Sequence, residues 1–122
     1  MSDSIVLNKS EKFAIRIVKL YQFLEKKNAP VRLREQIVGS GTSIGANLSE
    51  AMFGISNKDF LAKAFISKKE CSETMYWLRL FHETQYITTE QFYSLYTDAQ
   101  EIMRILQSIT KTMSKKIKTQ TH

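Results

Sequence analysis

The sequence has 122 residues, a formal net charge of +6, 43% apolar residues, one proline and one cysteine. That length makes one domain with room for a core, and the composition is that of a soluble globular protein. A lone cysteine, Cys71, excludes an intrachain disulfide and suits a reducing compartment. No apolar run reaches the ~18–20 residues of a membrane span. The N-terminus lacks a basic segment followed by an adequate apolar run, so no signal peptide is expected and the location is read as cytoplasmic.

Residues 1–8 read as an irregular or extended arm, with Ile5 and Leu7 packing on the body. A first helix is predicted from Lys9 to Lys27, with Phe13, Ile17, Leu20, Tyr21 and Leu24 as its apolar stripe. Asn28-Ala29-Pro30 breaks it, and Pro30 suits the entrance of the next helix, where its missing N–H costs nothing.

The second helix is predicted from Val31 to Phe53, about 34 Å long at 1.5 Å per residue. It contains the unusual stretch LREQIVGSGTSIGANLSE, residues 33–50, with Gly39, Gly41 and Gly45 among serines and threonine. Such composition usually means a loop. Leu33, Ile37, Gly41, Ile44 and Leu48 nevertheless step by four or three, which is a helical stripe. Each glycine costs a helix about 1 kcal/mol relative to alanine. The return expected for that cost is close approach of a neighbouring helix. Gly54 then reads as the C-terminal stop.

Ser56 and Asp59 form a shortened capping box for a third helix, Asn57 to Glu83. Phe60, Ala64, Ser67, Cys71, Thr74, Leu78 and Phe81 make its seam. Leu61, Phe65, Met75, Trp77 and Leu80 form a second stripe, predicting burial on more than one side. Thr88 and Gln91 form a clearer capping box for a fourth helix, Thr89 to Ile117. Its seam is Phe92, Leu95, Ala99, Ile102, Leu106, Ile109 and Met113. Residues 118–122 read as a disordered tail. The fold class is therefore all-α, an antiparallel up-down-up-down four-helix bundle over residues 9–117.

Helices two and three carry more than one stripe each, so self-association along them is expected. The alternative is a monomer whose glycines ease an internal crossing. Ser43, Asn47 and Glu50 share one face of helix two, and Glu70 and Glu73 share a face with Trp77 on helix three. Carboxylates on buried-looking faces need partners; Lys69, Arg32, Arg34, Tyr76 and Trp77 are the candidates. With Gly41 and Gly45, these residues are read as an oligomer or packing interface. The competing reading is a catalytic carboxylate cluster.

Other chemistry is poorly supplied. A dinuclear metal site in a bundle takes Glu-x-x-His motifs, but Arg79 stands three residues before His82, and His122 is terminal. Cys71 has no partner at metal-ligand spacing and reads as a small core residue. No phosphate-binding Gly-x-x-x-x-Gly-Lys loop is present. The serines near Gly41 have no neighbouring histidine to activate them. No enzyme activity, cofactor, metal or small-molecule ligand is expected.

Positive charge gathers toward the C-terminus. No acid follows Glu101, while Arg104, Lys111, Lys115, Lys116 and Lys118 do. Such an end attracts phosphate backbones or anionic partners; lysines there also complement the helix dipole. Lys58, Lys63, Lys68, Lys69 and Arg79 add basic character to helix three. Tyr21, Phe23, Tyr86, Tyr93 and Tyr96 read either as core and rim residues or as surfaces for base stacking. No base-reading motif is recognisable, so binding of this kind is backbone-directed and salt-dependent.

REQIVGSGTSIGANLSEA (residues 34–51), then Ser56 and Asp59-Phe60, resembles the signature of the bacterial four helix bundle protein family, also called ribosomal RNA intervening-sequence proteins and once labelled ribosomal proteins. KECSETMYWLRL (residues 69–80) and Tyr86-Ile87 are similar to the same family, so the resemblance runs from Ile5 to Ile117. Ser49 departs from it, since many relatives carry an acid there. The resemblance implies a homopentamer around a central channel. It also implies open reading frames inserted in large-subunit ribosomal RNA genes for some members. A related branch serves diversity-generating retroelements, with a basic pentamer binding a reverse transcriptase and RNA. It offers no catalytic residues. The leading expectation is a non-enzymatic oligomeric scaffold for RNA or an RNA-handling partner. The alternative is a protein–protein interaction module without nucleic-acid binding.

Overall fold

The computed structural model describes residues 2–120 of the chain, and the side chains of residues 5–119. Its elements are α1 (Ser2–Lys26), α2 (Val31–Ala51), α3 (Asn57–Glu83) and α4 (Thr89–Gln120). Each helix packs on its two neighbours in a ring α1–α2–α3–α4, with α1 and α4 the most loosely joined pair. This is the antiparallel four-helix bundle that the periodicity predicts.

Both ends of the chain are more helical than the sequence reading has them. The arm expected over residues 1–8 is, from Ser2 onward, the opening of α1. Val6 is fully buried and continues the stripe through Ser10 to Phe13, whereas Ile5 is exposed. The expected tail is helix as far as Gln120, since Met113 and Ile117 stay half-buried and prolong the seam. Residues 121 and 122, and Met1, lie outside the described residues.

The stops and starts have local causes. α1 and α3 end in the same way: Asn28 and Gln85 take left-handed backbone, with φ of 58° and 66°. Behind them Ala29 N–H donates to the Leu24 carbonyl, and Tyr86 N–H to the Phe81 carbonyl, both at 3.0 Å. These six-to-one bonds, with the tighter bonds from Asn28 and Gln85, make a Schellman closure. α2 ends at Ala51, earlier than predicted, and Gly54 does not use left-handed backbone. Gly54 is instead hemmed in, its missing Cβ falling 3.2 Å from the Ala51 carbonyl oxygen and 3.3 Å from Asp59 Cβ. At α4 the capping box closes both ways: Gln91 N–H donates to Thr88 Oγ1 at 3.1 Å, and Thr88 N–H donates to Gln91 Oε1 at 2.8 Å. At α3 Asp59 N–H donates to Ser56 Oγ at 3.1 Å.

The core follows the seams. Phe13, Ile17 and Leu24 of α1, Ile37, Ile44 and Leu48 of α2, Leu78 and Phe81 of α3, and Ile102 and Leu106 of α4 are buried together. The small polar seam residues tie α3 to its neighbours. Ser67 Oγ donates to the Ile44 carbonyl at 2.9 Å, the Thr74 and Ser40 hydroxyls bond at 2.9 Å, and the Cys71 thiol faces the Ala99 carbonyl at 3.3 Å. Burial pushes the Cys71 thiol up to about 12. The second stripe of α3 is only half-buried, and Phe65 within it is 46% exposed.

Candidate nucleic-acid interface

The glycine-rich stretch is a helix, and its close approach is internal to the chain. A Cβ on Gly41 would stand 2.7 Å from Ile17 Cγ2, and one on Gly45 would stand 3.5 Å from the Ser10 backbone. Both face α1, so they serve the α1–α2 crossing, the internal-packing alternative of the sequence reading. Gly39 has no atom within 4 Å of the position a Cβ would take.

The remaining residues read from sequence as an oligomer or packing interface do not gather in one place. Ser43 Oγ donates to the Gly39 carbonyl at 2.6 Å, and Asn47 Nδ2 donates to the Ser43 carbonyl at 2.8 Å, so both are satisfied within α2. Glu50 is exposed and pairs with Lys63 of α3 at 2.5 Å. Ser43, Glu70 and Glu73 line one polar groove between α2 and α3 with Arg32, Glu35 and Gln36. This groove is open, whereas the sequence reading sets these carboxylates on a buried-looking face. Partial burial, and then the charge of Glu73, holds Glu70 above the usual carboxylate range. Trp77 is half-buried, edge-on to Tyr76 with ring centroids 4.9 Å apart. Among the described residues no group of three His, Cys, Asp or Glu is placed to hold a metal. His82 stacks on Phe92 at 4.5 Å, and its Nε2 lies 3.0 Å from Thr89 Oγ1.

Away from the helix ends, the acids of the last two helices are sorted by direction. Glu70 and Glu73 of α3 face α2. Asp98 of α4 pairs with Arg16 of α1 at 2.6 Å, and Glu101 pairs with Lys9 of α1. The hydrogen bond and charge of Lys9 hold Glu101 below the usual carboxylate range. Between the helix ends, what α3 and α4 then turn outward is cationic or neutral; the exposed acids Asp59, Glu83 and Glu90 stand in the first or last turns. On α3 the outward ridge is Lys58, Ala62, Phe65, Lys69, Ser72, Tyr76 and Arg79, alternating steps of four and three, every member exposed. On α4, Gln100, Arg104, Gln107, Lys111, Lys115 and Lys118 form the matching ridge, also exposed. Lys116 is exposed but lies off this ridge.

Between the ridges runs a groove lined by Phe65, Lys68, Lys69 and Ser72 from α3 and by Met103 and Gln107 from α4. Lys68 Nζ lies 5.7 Å from the Phe65 ring centroid. Farther along, Arg79 lies over the Tyr96 ring at 5.9 Å and donates to its hydroxyl at 2.8 Å. Counting charges along the chain finds the basic tail, but the sorting needs the neighbours of each acid. The detectable signal is the four-three ridge from Lys58 to Arg79, which holds no carboxylate.

A small bundle of four helices whose distinguishing surface is electrostatic is the class that fold and face define. Residues 2–108 match the family model described as 23S rRNA-intervening sequence protein, and the chain belongs to that family. A protein of unknown function from the S23 ribosomal protein family of Bacteroides thetaiotaomicron VPI-5482 has a similar solved structure, with TM-score 0.88 and 48% identity, covering 91% of this chain and 99% of that one. No curated protein matches the sequence. Arg104 and the cations of α3 fall inside the family match; Lys111, Lys115, Lys116 and Lys118 fall beyond it.

Proposed function

We propose that this protein is a non-enzymatic, homo-oligomeric scaffold, a pentamer, that binds RNA or an RNA-handling partner through the α3/α4 face. The observation that carries this reading is the sorting of charge. With Glu70 and Glu73 of α3 turned to α2, and Asp98 and Glu101 of α4 paired to α1, the mid-helix cations on two adjacent ridges act on solvent together. Attraction of that kind serves phosphate backbones and needs no base-reading motif.

Salt-titrated binding of a structured RNA tests it. Binding is expected to weaken steeply with salt, and changing Lys111, Lys115, Lys116 and Lys118 to Gln is expected to flatten that dependence. Salt-insensitive binding, or none at low salt, contradicts the reading. Sedimentation tests the assembly: a pentamer has five times the 14.2 kDa mass of the chain, and a stable monomer rejects it. The second reading, a protein-interaction module, is supported by the α2–α3 loop, where Phe53 and Ile55 are 85% and 95% exposed. Large apolar side chains held so far out serve partner contacts. A pull-down that recovers a protein through this loop, with no RNA affinity, selects that reading.

A further inference from the structure

We infer that the α3/α4 face takes RNA as a single strand, with Phe65 as a stacking platform for an unpaired base. The inference rests on the RNA-binding reading and names the form of the ligand. Phe65, outside the buried seam of α3, is 46% exposed. It lines the groove floored by Met103 and edged by Lys68, Lys69, Ser72 and Gln107. Ala62 and Lys69 flank it on the same ridge, and Ala62 is too short to cover the ring.

A half-exposed aromatic ring, with the Lys68 ammonium 5.7 Å from its centroid, suits a base attached to phosphate. Stacking on aromatic side chains, with lysines tracking the backbone, is the general means of holding single strands. The groove runs between packed helices, whose axes are about 8–10 Å apart. A strand can lie along such a groove. A duplex, with its bases stacked inside, would touch only the ridge lysines and leave the Phe65 ring bare. Tyr76, 51% exposed and eleven residues along the same ridge, lies about 16 Å away along the helix. Lys69 and Arg79 share the ridge with these two rings, the interleaving of charge and π-surface that a strand engages.

Fluorescence anisotropy on the full chain tests this, using a 12-nucleotide single-stranded oligoribonucleotide and the duplex of the same sequence. The single strand is expected to bind more tightly. Phe65→Ala is expected to weaken single-strand binding roughly tenfold with an unchanged salt slope. Lys68→Gln with Lys69→Gln is expected to lower the slope, by about 0.7 per lost phosphate contact. Phe65→Leu keeps the apolar bulk and removes the π-face, so it is expected to behave as Phe65→Ala. Phe65→Trp is expected to retain binding and to show quenched fluorescence when the strand is added.

Equal affinity for strand and duplex, with Phe65→Ala binding as wild type, overturns the single-strand inference and leaves RNA binding standing. Full binding by Phe65→Leu also overturns stacking. No binding of either RNA at low salt overturns both this inference and the RNA-binding reading.

Discussion

At Gly41 a methyl group would stand 2.7 Å from Ile17 Cγ2 and 2.9 Å from Ile17 Cγ1, in a side chain that is itself fully buried. Ile17 has no room to withdraw, so Gly41→Ala should destabilise the fold. Overpacking costs about 1–3 kcal/mol, and the helix-propensity gain of about 1 kcal/mol offsets only part of it. Gly39→Ala meets nothing and should stabilise by about 0.5–1 kcal/mol. Urea melts of the two variants should therefore move in opposite directions. Equal shifts would remove the close-approach account of Gly41. Cys71 gives a second residue-scale test. With its thiol pushed up to about 12, roughly a thousandfold less thiolate is present than in an ordinary cysteine. Alkylation at pH 8 should be negligible in the folded chain and prompt after unfolding.

At the scale of the element, the seams of all four helices were legible because burial follows the three-four period. The predicted stripe of α3 from Ala64 to Phe81 is the buried set observed. The ends were less legible. Of the two residues expected to pack at the N-terminus, Leu7 does lie against the core while Ile5 is exposed, and Val6 is the fully buried one; Ser10 and Gly45, which look neutral in a sequence, set that phase. Gly54 was given the stop, but the left-handed closures fall on Asn28 and Gln85 elsewhere. A non-glycine residue in left-handed backbone carries a cost that glycine avoids. Gln85→Gly should accordingly raise stability by about 1 kcal/mol, measured as a higher denaturation midpoint at unchanged slope. A lower midpoint would mean that the Gln85 side chain contributes more than its backbone costs.

At the scale of the whole molecule, charge is arranged by the packing of helices and so is nearly invisible along the chain. Lys63 looks like another cation of α3 until Glu50 is found beside it. Arg16 and Lys9 look available until Asp98 and Glu101 are found beside them. These pairings occupy cations of α1 and α3 and, in the same contacts, remove acids from the outward side of α4. Phe65 was legible as apolar but read as buried; only the placement of α4 beside it leaves the ring open in a basic groove. The interface residues named from sequence divide similarly. Gly41 and Gly45 serve the α1–α2 crossing, while Glu70 and Glu73 line an open groove on the opposite side of α2 from α1.

The most direct measurement of where RNA lies is ultraviolet cross-linking of the full chain to a single-stranded oligoribonucleotide, with adducts located by peptide mass spectrometry. The account predicts adducts on the outward ridges of α3 and α4, Phe65 and Tyr76 foremost, lost as salt is raised. Adducts confined to α1 and α2, or none at low salt, would contradict it.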